Sequence, residues 1–277
     1  MRWNSGGLGY PYLLKMDATR LPEIAIIIPA CEEAACIGPV LDELLRIVDP
    51  EKFVITVGVN ASADRTAEIA RQRPVLVAET LRRGYGHGCQ AAIALTNNLF
   101  PSVRAYLFCA GDGASEPGDL RRMSAAFEQG YDLVLGSRTM RLRNWRTMPF
   151  GHVVANAGLG LWCGILSGRR FSDLGPLRII SRRLFEKIAP QEMTFGWTIE
   201  AQIAAAKLRA PICEIPVSER RRIGGAQKVS GVTWRQTFSI GCHIVAAGYR
   251  TWRDFQPARA TRAASFARPG SSRRREA

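Results

Sequence analysis

The sequence predicts an α/β fold, one domain built on a mainly parallel β-sheet with helices on both faces. Three observations lead there. Short apolar runs rich in β-branched residues alternate with longer helical patterns through the first half of the chain. Runs such as Ile24–Ile28 are apolar at every position, as in strands covered on both faces. At 277 residues, with 47% hydrophobic and 22% charged residues, the chain has the size and composition for one large core.

In order, strands are expected at Ile24–Ile28, Phe53–Val59, Val75–Ala78, Ala105–Cys109 and Leu133–Leu135. Helices are expected between them at Ala34–Ile47, Ala63–Arg71, Gly86–Leu99 and Pro117–Gln129. Such alternation puts ligands at the carboxyl ends of the strands. Further on the rhythm changes: an apolar helix near Val153–Leu166, a strand near Leu177–Ile180, a helix near Thr198–Lys207 and a strand near Ile212–Val217. A basic loop and an amphipathic segment, Val232–Trp252, follow. Residues 1–20 and 255–277 lack a hydrophobic face and read as an arm and a basic tail around a domain spanning 21–254.

The net charge is +14, part of it from Arg259, Arg262, Arg268, Arg273, Arg274 and Arg275 in the tail. That surplus suits an anionic partner, and by itself does not choose among nucleic acid, an acidic membrane and a phosphorylated substrate. The 7 cysteines form no CxxC pair and only 3 histidines accompany them, which argues against zinc and for free thiols in a reducing cytosol. The longest apolar stretches, Val153–Leu166 and Phe238–Ala247, are too short for a bilayer core of about 30 Å, and no apolar signal core opens the chain.

Four strand ends carry the candidate chemistry. The first is Ile28-Pro29-Ala30-Cys31-Glu32-Glu33, where proline fixes the chain exit and a carboxylate can accept from a base or ribose, or simply face solvent. The second runs from Val59 to Thr66: Asn60 can address a base, while Ser62 and Asp64 are expected to cap the following helix. The third, Arg82-Arg83-Gly84-Tyr85-Gly86-His87-Gly88, opens a helix, and either presents amides and arginines to phosphate or makes a tight turn. The fourth, Ala110-Gly111-Asp112-Gly113-Ala114, sets one carboxylate between glycines, to meet a metal or sugar-phosphate or to close an Asx turn.

The order of these elements resembles the family 2 glycosyltransferases of GT-A, Rossmann-like fold, over roughly residues 22–230. Pro29 and Glu33 are similar to the family's opening Pro-x-x-x-Glu, Asn60–Thr66 to its second-strand motif, Gly84–Gly88 to its Gly-rich entry, and Ala110-Gly111-Asp112 to its Asp-x-Asp. Gly136-Ser137-Arg138, Ser172-Asp173 through Arg178, Gly196-Trp197-Thr198-Ile199-Glu200 and Arg222 through Lys228 resemble segments of the dolichol- and polyprenyl-phosphate hexosyltransferases.

That resemblance implies inverting transfer of a hexose from a UDP- or GDP-sugar to a polyprenyl phosphate, as in cell-envelope glycan or glycolipid synthesis. By it, Pro29, Glu33, Asn60, Arg83, Gly84 and Gly111 hold the donor and Asp112 holds its sugar-pyrophosphate with any metal. Arg138, Arg222 and Lys228 hold phosphates, while Asp173 and Glu200 either position acceptor or sugar hydroxyls or serve as a helix cap or structural ion pair. The sequence departs from the pattern at Ala110, Ala114 and Asn60, where the family places Asp, Gln and Asp, so Mg²⁺ or Mn²⁺ binding is weakened to the single ligand Asp112. A lipid acceptor without a spanning helix implies peripheral attachment to an anionic membrane at the inner face of the cell membrane; Trp234, Phe238, Tyr249, Trp252, Arg235, Arg250 and Arg253 either lie toward the interface or pack against the domain. Nucleic acid is not an expected partner. Two other readings compete: a soluble transferase acting on a hydroxyl, with Asp173 or Glu200 as base, and a nucleotide-sugar-binding protein with weakened catalysis.

Overall fold

The computed structural model describes residues 21–146, 150–225 and 234–257. Among them, strands β1 (Ile24–Ala30), β2 (Phe53–Asn60), β3 (Leu76–Thr80), β4 (Ala105–Phe108), β5 (Leu133–Ser137), β6 (Arg178–Ser181) and β7 (Ile212–Pro216) form one sheet ordered β3-β2-β1-β4-β6-β5-β7. The helices are α1 (Ile37–Ile47), α2 (Thr66–Arg71), α3 (Tyr85–Leu99), α4 (Pro117–Glu128), α5 (Phe150–Ser167), α6 (Arg182–Ile188), α7 (Trp197–Lys207) and α8 (Trp234–Asp254). This is the mainly parallel, doubly covered α/β sheet that the alternation predicts.

β1 pairs in parallel with β2 from Ile24↔Phe53 to Ala30↔Val59, and with β4 from Ile24↔Ala105, so the carboxyl ends of these three strands open on the same side. β6 runs antiparallel between β4 and β5, placing Ile180 beside both Tyr106 and Leu133. The period-2 pleat divides the core. Ile24, Ile26 and Ile28 pack with Ile37, Leu41 and Leu44 of α1 and Leu120 and Met123 of α4. Ala25 and Ile27 face Cys89, Ala92 and Ile93 of α3 and Trp197, Ile199 and Ile203 of α7. Each fully buried isoleucine contributes about 1.5–3 kcal/mol. Because both pleat faces are buried, these strands show no polar alternation.

Close approach explains one pair of glycines. A Cβ on Gly58 of β2 would lie 2.0 Å from the carbonyl oxygen of Gly88 in α3, so strand and helix meet backbone to backbone. The Thr56 and Thr96 hydroxyls share a buried hydrogen bond of 2.7 Å across the same contact. α1 starts at Ile37, later than the Ala34 expected, because the Cys36 and Ile37 amides both donate to the Glu33 carbonyl and residues 34–36 are spent in that turn. α6 was not expected. Its signal was Ser181, whose hydroxyl caps it by accepting from the Leu184 amide at 3.1 Å.

α7 is buried between the sheet and the pair α5 and α8. No described helix is long and apolar enough to cross a membrane. The expected arm 1–20 and the tail beyond residue 257 lie outside the described residues.

Candidate active site

The turns after β1 and β2 are stitched together by side chains. Ser62 Oγ accepts from the Glu32 amide at 2.5 Å, Thr66 Oγ1 from the Glu33 amide at 2.8 Å, and Asp64 from the Ala34 amide at 3.0 Å. Asp64 also accepts from the Thr66 amide at 3.1 Å. Ser62 therefore caps the approach to α1 rather than α2, and Asp64 serves both. Glu32 and Ala61 take left-handed backbone (φ 53° and 49°) to make this crossing. The Glu33 side chain, fixed by this frame, reaches the guanidinium of Arg222, 189 residues away. Pro29 lies within β1 and ends its exit, and Asn60 is buried at the end of β2 against Gly88.

In the Gly84–Gly88 entry, the Gly86 amide donates to Met193 O at 2.9 Å and the Gly88 amide to Gly84 O at 3.2 Å. Gly84 has φ 146°, and a Cβ there would sit 2.4 Å from Met193 O. Packing against residues 192–197 thus accounts for Gly84 and Gly86, while Gly88 meets Gly58 and Asn60 of β2. Arg82 and Arg83 stand exposed beside them.

The turn after β4 is built around Asp112. Its Oδ1 accepts from the Ala114 amide at 3.0 Å, an Asx turn, and its Oδ2 accepts from Arg222 Nη1 at 3.2 Å. Residues 219–223 run alongside, with the Ile223 amide on Asp112 O at 3.0 Å and the Arg220 amide on Ala114 O at 2.8 Å. Gly113, at φ 77°, is required here, since a Cβ would meet Ile223 Cδ1 at 2.4 Å. Gly111 is buried against Ile28 of β1. Arg220 forks onto Glu43 of α1 at 2.8 and 2.9 Å. Arg222 joins Glu33 and Asp112 and also donates through Nε to Gly224 O at 2.7 Å. Lys228 lies outside the described residues.

A second charged group lies behind the first. Arg138 grips Asp173 with Nε at 2.8 Å and Nη2 at 2.9 Å, and the Asp173 side chain is 1% exposed. Burial alone would lower the Arg138 pKa, but the Asp173 and Glu219 charges outweigh it and hold the guanidinium above its ordinary value. Glu219 lies 3.6 Å from Arg138 Nη1. Burial pushes its carboxyl up to about 7; Arg138 opposes the rise, while Asp112 and Asp173 add to it. Asn144, from a short 3₁₀ turn at Leu142–Arg146, fixes this region by donating to Arg138 O and Val217 O at 2.8 and 2.7 Å and accepting from the Glu219 amide at 3.0 Å. Neither Glu219 nor Asn144 stands out in the sequence.

Glu200 is apart from both groups. Its carboxylate accepts from the amides of Gln191 and Glu192 at 2.8–3.1 Å and so holds the loop that packs on Gly84 and Gly86. The structure thus joins Glu33, Asp112 and Arg222 directly and pairs Arg138 with Asp173, whereas Glu200 and the Gly84 turn support the site from outside.

Two helices, α5 and α8, expose apolar faces. α5 has no Asp, Glu, Lys or Arg in 18 residues, and Val154, Gly158, Leu161 and Ile165 form one exposed stripe on it. α8 exposes Phe238, Cys242, Val245, Tyr249 and Trp252 at helical spacing, with Phe238 69% accessible. Trp162 Nε1 ties α5 to Val245 O at 3.3 Å, and Arg250 pairs with Glu192. Arg170 and Arg253 are exposed nearby, the latter 5.9 Å from the Tyr249 ring. Nothing is described of the Trp234 and Arg235 side chains.

Solved structures share this fold. Glucosyl-3-phosphoglycerate synthase from Mycobacterium tuberculosis, in complex with Mn²⁺, UDP and phosphoglyceric acid, superposes with a TM-score of 0.64 at 17% identity, over 90% of this chain and 84% of that one. Among curated proteins, an uncharacterized glycosyltransferase of Mycobacterium tuberculosis is 27% identical over 213 residues, 75% of this chain and 90% of its own. A dolichyl-phosphate hexose transferase of Haloferax volcanii is 29% identical over 203 residues, 73% of this chain and 85% of its own.

The Mn²⁺ in such neighbours raises the question of a divalent ion at Asp112. The residues present do not make such a site: Ala110 and Ala114 offer no side-chain donor, and both Asp112 oxygens are engaged. Among the described residues no group of three or more His, Cys, Asp or Glu side chains can hold a metal ion. The donor-side motifs, set on the ends of β1, β2 and β4, all fall within the segment that matches the family model Glycosyl transferase family 2, residues 25–188. The chain belongs to glycosyltransferase family 2 and is a glycosyltransferase.

Proposed function

We propose that this glycosyltransferase moves a hexose, with inversion, from a UDP- or GDP-sugar to a polyprenyl phosphate at an anionic membrane surface. The observation that carries the reading is the exposed apolar surface of α5 and α8 on a domain whose strand-end turns carry arginines. An exposed face without charge in a chain of net charge +14 suits a lipid substrate whose head is anionic. Similarity to the Haloferax dolichyl-phosphate hexose transferase supports the same acceptor class.

In this reading Glu33 and Asn60 face the nucleoside, and Asp112 faces the sugar-diphosphate. Arg222 and Lys228 counter the phosphates, and Asp173 holds Arg138 in place for the acceptor side. The acceptor phosphate is already anionic, so its oxygen attacks C1 without a protein base and the electron pair of the broken C1–O bond leaves with the nucleoside diphosphate.

Glu219 favours a second reading. A carboxyl that burial pushes up to about 7, in ion-pair contact with Arg138, is suited to deprotonate a hydroxyl acceptor, the role for which the sequence offers Asp173 or Glu200. Labelled UDP-glucose and GDP-mannose, offered with a long-chain polyprenyl phosphate or with phosphoglycerate, separate the two. Label in the organic phase only with the polyprenyl phosphate supports the first reading; label only in a water-soluble product overturns it.

A further inference from the structure

We propose that Arg178 is a positioning residue for the transfer: its buried guanidinium holds the 173–175 turn, and through it the Arg138–Asp173 pair, at the ligand edge of the sheet. The inference rests on the reading above that Arg138 serves the acceptor, and adds the group that sets where Arg138 stands.

Arg178 opens β6 opposite Phe108 of β4 and Leu135 of β5. Because β6 is antiparallel to both, its first residue lies where they end, at the edge that carries the strand-end turns. Ile180, two residues on, packs with Trp197 and Ile203 of α7, and the pleat puts Arg178 on that same face. There it is 2% exposed and donates through Nη1 to Thr198 O of α7 at 3.2 Å and through Nη2 to Gly175 O. Gln202, one turn further along α7 and fully buried, donates to Asp173 O at 3.4 Å. The carbonyls on both sides of residue 174 are thus held from β6 and α7. A Cβ on Gly175 would lie 2.8 Å from Gly136 O and 3.3 Å from both Arg138 Nε and Asp173 Oδ2, so the turn lies directly against the ion pair. Moving the turn therefore moves the carboxylate that receives the backbone amide, Nε and Nη2 of Arg138.

A guanidinium is a poor choice for a clamp that serves stability alone. Among the described residues no carboxylate pairs with Arg178, and its Nε has no partner. Burial pushes its pKa down, as for a cation that is less stable where it stands than in water. An apolar side chain of similar volume is commonly neutral or stabilising in place of buried charge. A local rule broken without gain in stability is expected where function requires it. Methionine at 178 fills the space and makes neither bond, so it separates the two roles.

The test is steady-state kinetics of the full chain with donor and acceptor varied separately, for wild type, Arg178→Met and Arg178→Lys. The donor is UDP-glucose or GDP-mannose, and the acceptor a long-chain polyprenyl phosphate. Arg178→Met is expected to raise the acceptor KM at least about tenfold and leave the donor KM within about twofold. Its unfolding midpoint is expected to stay within about 4 °C of wild type. Arg178→Lys, which keeps the charge and a donor for Gly175 O, is expected to recover part of the acceptor KM. An unchanged acceptor KM in Arg178→Met, or donor and acceptor constants that worsen together with a lower midpoint, overturns the inference and reduces Arg178 to a structural group. Should Arg178→Met fail to fold, Arg178→Lys decides: an acceptor KM raised at least about threefold with the donor KM unchanged supports the inference, and any other pattern overturns it. Transfer to phosphoglycerate instead of polyprenyl phosphate overturns the lipid reading, and the same split is then read on phosphoglycerate. Transfer to neither overturns both.

Discussion

The two halves of the sheet are held by different kinds of interaction. Around β1, β2 and β4, short polar side chains bond to backbone amides in neighbouring turns, as Ser62, Asp64 and Thr66 do for residues 32–34. Around β5, β6 and β7, buried charge does the equivalent work: Arg138 locks onto Asp173, and Arg178, buried within β6, donates only to the carbonyls of Gly175 and Thr198. Burial accordingly pushes the Arg178 pKa down. The first half can lose one bond and keep a solvated frame. In the second, removing one partner leaves a charge stranded in low dielectric.

The largest effect expected from that difference is on stability. Asp173→Asn removes the charge that faces the buried Arg138 guanidinium and should cost about 3–5 kcal/mol in denaturant unfolding. A loss below about 1 kcal/mol would mean that solvent reaches Arg138. Arg222→Ala comes next: kcat should fall by about 10²–10³ with the fold intact, as for loss of one charge-stabilising donor. Steady-state kinetics with donor and acceptor varied separately checks it, and a change confined to donor KM would reduce Arg222 to a nucleotide contact.

Glu219→Gln should expose a pH dependence. The carboxyl rises from 4.5 to about 7 on folding, so its contribution is fully present below 4.5 and is lost as pH rises through 7. Relative to the glutamine variant, the wild type should therefore lose roughly 3 kcal/mol between pH 4 and pH 8. Parallel stability curves for the two proteins would contradict the burial argument. The smallest effect belongs to the first half: Ser62→Ala should cost no more than about 1 kcal/mol, because the Glu32 amide it releases is exposed to water.

The same contrast explains what the sequence makes legible. β1, β2 and β4 and the helices after them follow from continuous apolar runs and local turn residues, which is why Glu33, Asn60 and Asp112 were readable as strand-end groups. The direction of β6 was not, because an antiparallel strand buried on both faces has the same apolar pattern as a parallel one. Nor were the partners of Arg222, which stand 110 and 189 residues away. The Gly84–Gly88 entry stays open in the sequence between a phosphate contact and a tight turn, because a glycine needed for Met193 and Trp197 to pack has the same signature as one that lets phosphate approach. The aromatic stripe of α8 was visible as a pattern, but whether it faced the core or the outside was decided by Ala247 and Thr251, which take the buried side.

The central claim is that the cleft of the sheet performs the transfer while α5 and α8 bring the lipid to it. Activity should therefore separate by acceptor in the double variant Leu161→Glu, Ile165→Glu, since both side chains lie on the exposed stripe of α5. Turnover is measured with a long-chain polyprenyl phosphate in acidic vesicles and with a short, water-soluble prenyl phosphate. A loss of at least about tenfold is predicted in vesicles, where two exposed apolar side chains that would enter the lipid are replaced by charge, with near wild-type turnover of the soluble acceptor. Equal turnover of wild type and variant in vesicles would contradict it.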